Sequence, residues 1–67
     1  MKLKKASRKA YVMGYSWIAV DRSGSIYAYT ERPSWSGHGI WCGSPFQKMG
    51  NYRGSKMPRD TIRRVDL

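Results

Sequence analysis

The chain has one cysteine, four acidic residues and no apolar run longer than four residues. Each shortage excludes something. A lone Cys42 cannot build a disulfide framework, and it fits a reducing compartment, with the cytoplasm as the expected location. A bilayer span needs about 20 apolar residues, so no transmembrane segment and no membrane partner is expected. The first residues are basic and lead into no apolar core, so they do not read as a secretory signal.

Of the four acids, Asp21, Glu31, Asp60 and Asp66, three fit turn, strand-end or helix-cap positions, which leaves no carboxylate pair for acid–base work. His38 and Cys42 are four apart, but Gly39 and Gly43 oppose the helix that would align them, and structural zinc wants about four such ligands. A thiol nucleophile built from Cys42, His38 and Asp21 would need an oriented, partly buried site. A chain of 67 residues buries only about 60% of its unfolded surface and has little room for one. No glycine loop of the phosphate-cradling type is present. The expectation is one small domain that is not an enzyme, with no cofactor, no metal and no catalytic residues.

What is abundant is positive charge. Thirteen Lys and Arg against four acids give a formal net charge of +9. Eleven of the 13 fall in two blocks: Lys2, Lys4, Lys5, Arg8 and Lys9, then Lys48, Arg53, Lys56, Arg59, Arg63 and Arg64. This balance favours a phosphate backbone or an acidic protein surface as partner. Residues 1–9, poor in apolar side chains, read as a flexible basic arm, and residues 10–67 as a single small β-rich domain.

The structural heart is residues 11–30, rich in Tyr, Trp, Ile, Val and Thr, which suit a pleated surface. Asp21-Arg22-Ser23-Gly24 fits a type I turn closed by a left-handed Gly24. That turn pairs Val20 with Ile26, Ala19 with Tyr27, Ile18 with Ala28 and Trp17 with Tyr29. Side chains alternate along a strand, so Ile18, Val20, Ile26 and Ala28 share one face, the expected core. Tyr15, Trp17, Ala19, Tyr27 and Tyr29 share the other, which either packs under the C-terminal half or stands exposed as an aromatic surface. Single-strand binders combine such rings with basic side chains.

Pro33 ends the hairpin, and residues 31–45 read as a Gly/Ser-rich loop holding Trp35 and Trp41, rings that serve as lids over a core or as partner contacts. A short third strand fits Ile40–Cys42 and a fourth Phe46–Met49. Residues 58–65 fit a short helix, with Pro58 at its first turn and Ile62 and Val65 at helical spacing, or an edge strand. The favoured fold is a small β-rich α+β domain: a three- to four-stranded antiparallel sheet with a short C-terminal helix.

From Trp17 to Pro33 the chain resembles a recurring type of short protein encoded by tailed bacteriophages. These show an IAVD-x-x-G-x-(I/V)-(Y/H)-A-(Y/F) hairpin, a proline, a Trp-bearing segment, a glycine-containing strand and an Asp-Ser/Thr-Leu/Ile motif. The later elements would be Trp35 or Trp41, Phe46 to Gly50, and Asp60-Thr61-Ile62. The basic ends depart from a type that is often acidic. The resemblance implies a phage accessory protein in the cytoplasm of the infected host cell and supplies no catalytic residues.

The expected function is binding without catalysis. The candidate contact residues are Lys2, Lys4, Lys5, Arg8, Lys9, Trp17, Tyr27, Tyr29, Trp35, Trp41, Arg53, Lys56, Arg63 and Arg64. The partner is nucleic acid or an acidic host protein, which the chain would inhibit or modulate; a minor virion or assembly component is a third possibility.

Overall fold

A computed structural model describes residues 1–43 and 46–65. The chain runs α1 (Leu3–Val12), β1 (Trp17–Val20), β2 (Ser25–Tyr29), β3 (Ser34–Trp35), β4 (Trp41–Cys42), β5 (Phe46–Asn51), a 3-10 turn (Pro58–Asp60) and β6 (Arg63–Arg64). The strands form a four-stranded antiparallel sheet of order β5-β2-β1-β6 and a separate β3–β4 ladder.

The central hairpin has the expected register, from Val20 opposite Ile26 to Trp17 opposite Tyr29. Gly24 closes its turn at φ +88°, with its N–H donated to the Asp21 carbonyl at 3.0 Å. The side chain of Asp21 holds the same turn, because one carboxylate oxygen accepts from the Ser23 N–H at 3.0 Å and the Ser25 N–H at 3.3 Å.

Three fold expectations need correction. Residues 1–9 are no arm: they form most of α1, and the helix is N-terminal. Its buried residues Leu3, Ala6, Ser7 and Ala10 follow the i, i+3, i+4, i+7 spacing of one helix face, and this face lies on Ile18, Val20, Ile26, Ala28 and Met49. Gly14, at φ +89°, ends the helix. It donates its N–H to the Tyr11 carbonyl while Tyr15 donates to that of Ala10, the double bond pattern of a Schellman cap.

The expected C-terminal helix is absent. Pro58 does start a turn, but it is a single 3-10 turn, and the chain then straightens into β6 against β1. The cause is Thr61, whose buried hydroxyl oxygen accepts the Val20 N–H at 2.8 Å. Val65 then enters the core and donates to the Ser16 carbonyl at 2.7 Å.

The strands number six among the described residues, against the three or four expected. The strands beyond that number are β3 and β6; β4 falls within the expected third strand, Ile40–Cys42, but pairs with Ser34–Trp35 outside the main sheet.

Strand β5 carries a bulge. Ile26 faces Gly50 and Tyr27 faces Lys48, so Met49 is the extra residue, and its side chain drops into the core. The Met49 carbonyl accepts from Lys9 Nζ at 3.2 Å and the Asn51 carbonyl from the Met1 nitrogen at 2.6 Å. These bonds tie α1 and its start along the outer edge of β5, an edge that would otherwise offer itself to another strand.

Candidate nucleic-acid interface

The position of α1 has an electrostatic consequence. Its first turn lies beside the segment that leaves β5, with Met1 donating to Asn51 and the Arg53 N–H directed at the Met1 carbonyl at 3.4 Å. The two basic blocks, apart in sequence, therefore meet. Lys2 and Lys4 from the first and Arg53, Lys56 and Arg63 from the second line one open cleft of about 690 Å³. No Asp or Glu is among its lining residues.

Tyr52 forms one wall. Its ring covers Gly54, where a Cβ would collide with the phenol, and its hydroxyl accepts the Lys56 N–H at 3.3 Å. The Tyr52 N–H is donated to the Gly24 carbonyl at 2.7 Å, which anchors the wall to the hairpin turn.

The other expected contact residues divide. Lys5 and Arg8 are exposed on α1 outside the cleft lining, whereas Lys9 is spent on the Met49 carbonyl. Arg64 faces Trp17 across β1–β6, and the Arg32 guanidinium stands 5.0 Å from the Trp17 ring centre, within cation–π range.

The aromatic sheet face is only partly available. Of the two arrangements open for it, burial holds in part, but its cover is the β3–β4 ladder. Tyr29 is 2% exposed and cannot stack on a partner, so it leaves the contact set. Burial, then the Asp21 charge, then Tyr27 and Cys42, push its pKa up to about 12. Trp41 acts as a lid: its indole N–H donates to the Val20 and Pro58 carbonyls at 3.1 and 3.2 Å. Trp35 is tilted against it with ring centres 5.1 Å apart. Trp17 and Tyr27 are half-buried.

Two contributors escaped sequence reasoning: Tyr52 and Arg32. Tyr52 had a local signal, an aromatic between Gly50 and Gly54 beside Arg53. Arg32 depends on an approach to Trp17 that only the fold supplies.

His38 and Cys42 lie in or next to the β3–β4 ladder and are exposed. No group of three metal-binding side chains occurs among the described residues, and none of their helices is long and apolar enough to cross a membrane. Comparison with protein-family models, curated proteins and solved structures gives no match to this chain.

Proposed function

We propose that this chain is a non-enzymatic binding protein that engages nucleic acid through the cleft between the start of α1 and residues 52–56. The observation that carries this is the convergence of Lys2, Lys4, Arg53, Lys56 and Arg63 on one cleft whose lining has no acid. Like charges gathered on a small domain repel one another, and a polyanion relieves that repulsion while releasing its condensed counterions. The hairpin resemblance adds a setting, a phage accessory protein at work in the cytoplasm of an infected host cell.

The test is binding of a labelled oligonucleotide measured against salt. Affinity should fall steeply as salt rises, and Arg53→Ala with Lys56→Ala should flatten the log–log slope by about 1.4 for a single strand, about 0.7 per lost phosphate contact. Retention from host lysate should also disappear after nuclease treatment. Salt-insensitive binding, or a discrete protein band that survives nuclease, would overturn the reading; the second result would assign the cleft to an acidic protein.

A further inference from the structure

A second, smaller cleft of about 200 Å³ opens on the other face of the sheet, lined by Asp21, Tyr27, Tyr29, Ile40, Trp41 and Phe46. Phe46 is 59% exposed and Ile40 44%, so both present apolar surface at the mouth of this cleft. Phe46 meets Tyr27 edge-on with ring centres 5.5 Å apart. Five of the six lining residues are thus apolar or aromatic, and the sixth is a carboxylate in a chain that has four acids in all.

The turn explains only half of that carboxylate. Ser23 N–H, Ser23 hydroxyl and Ser25 N–H all converge on Oδ1 of Asp21, and Oδ2 takes no part in these bonds. Cations flank the cleft. Lys48 stands opposite Tyr27 across β2–β5. The Arg22 side chain lies over Gly39, where a Cβ would clash with it, and the Arg22 N–H donates to the Gly39 carbonyl at 2.7 Å.

We propose, building on the nucleic-acid reading above, that this cleft takes one unpaired base of a single strand, with guanine preferred. The exposed Phe46 ring and the half-buried Tyr27 and Trp41 rings can stack on any base, with the buried Tyr29 beneath them as floor. Arg22 and Lys48 attract the phosphates on either side of it, and they disfavour a cationic side chain as the occupant. Asp21 then selects among bases. A carboxylate only accepts hydrogen bonds, and guanine alone presents two adjacent donors, N1–H and the exocyclic amine, on its Watson–Crick edge, for the two lone pairs of Oδ2 that the turn bonds leave open. Adenine and cytosine set an acceptor nitrogen beside their amine, and thymine sets carbonyls on both sides of N3–H; a carboxylate opposes all three.

The experiment compares labelled 12-nucleotide oligothymidines carrying one central guanine, adenine, cytosine or inosine. The guanine strand should bind at least about fivefold tighter than plain oligothymidine, and inosine, which lacks the exocyclic amine, should fall between. Asp21→Asn keeps an acceptor oxygen for the turn and should abolish the guanine preference, so that the guanine, adenine, cytosine and inosine strands bind alike. Phe46→Ala, at a position remote from the turn, should weaken every strand about tenfold, measured at a temperature where its melting curve shows the variant folded. Salt-sensitive binding with no guanine preference overturns the base pocket and leaves the basic cleft standing. No binding to any strand overturns both. Tighter binding of a trimethyl-lysine peptide than of any oligonucleotide, lost in Phe46→Ala, reassigns the cleft to cations.

Discussion

Thr61→Val probes how the sheet ends. β6 contributes two residues, which pair with Trp17 and Ile18, so the ladder stops before it reaches Val20. The outward Val20 N–H is nonetheless buried, and Thr61 Oγ1 serves as its acceptor at 2.8 Å. The Thr61 hydroxyl proton goes to the Pro58 carbonyl at 2.6 Å. Valine keeps the shape and loses both bonds, but the losses are unequal. The Pro58 carbonyl still accepts from the Thr61 N–H at 3.1 Å and from Trp41 Nε1 at 3.2 Å. The Val20 N–H has no such second partner among the described residues. Leaving one buried donor unsatisfied costs about 1–3 kcal/mol, which lowers the melting temperature by on the order of 10 °C in a domain of this size. Thr61→Ser retains the hydroxyl and loses one methyl group, about 0.8 kcal/mol. Thermal and urea denaturation should therefore rank wild type above Ser and Ser above Val. A valine variant as stable as the serine variant would refute the argument that a side chain stands in for the missing strand.

Two further outcomes are expected. A Cβ at Gly24 meets no atom within 4 Å, so the cost of Gly24→Val is chiefly that of positive φ for a β-branched residue, about 1–2 kcal/mol; an unchanged urea midpoint would contradict this. Tyr29 ionises near pH 12 in the fold and near 10 when unfolded, so the unfolded chain loses its proton first and stability falls as pH rises from about 10 to about 12. Tyr29→Phe should remove that component of the alkaline decline, and absorbance titration of the native protein should show one tyrosine titrating late.

The parts of the fold that were legible are those fixed by local chemistry. Asp21 and Gly24 specify a turn, the turn specifies a register, and the register sorts Ile18, Val20, Ile26 and Ala28 onto the core face. Helix α1 was harder to read because its buried face is built of Leu3, two alanines and Ser7 between lysines, a stripe whose composition resembles a solvated tail. The 3.6-residue spacing and Gly14 were the available signals. The C-terminal segment shows tertiary contact overriding local preference: Pro58 begins a helical turn as its chemistry dictates, and the bond from Val20 to Thr61 then draws the chain out straight. The basic cleft was legible only as charge. Lys4 and Arg53 meet because α1 folds back along β5, and nothing in either block records that approach.

The start of α1 links this cleft to stability. A helix N-terminus carries partial positive charge and favours acids in its first turn, yet here Lys2, Lys4 and Lys5 cluster there, with no acid in that turn and no side-chain cap. The fold alone does not favour this arrangement; an anion seated on the cleft would supply the missing negative charge. Lys4→Glu should accordingly raise the melting temperature at low ionic strength by on the order of a few degrees, and added salt should erase the gain by screening. The same change should weaken oligonucleotide binding and reduce its salt slope, because a phosphate-neutralising cation has become an acid. The opposed signs are the informative part: a residue kept against the interest of stability is one that function holds in place. If Lys4→Glu lowered stability at low salt, or left binding intact, the lysines of this turn would have no tie to an anion and the cleft would lose its strongest physical support.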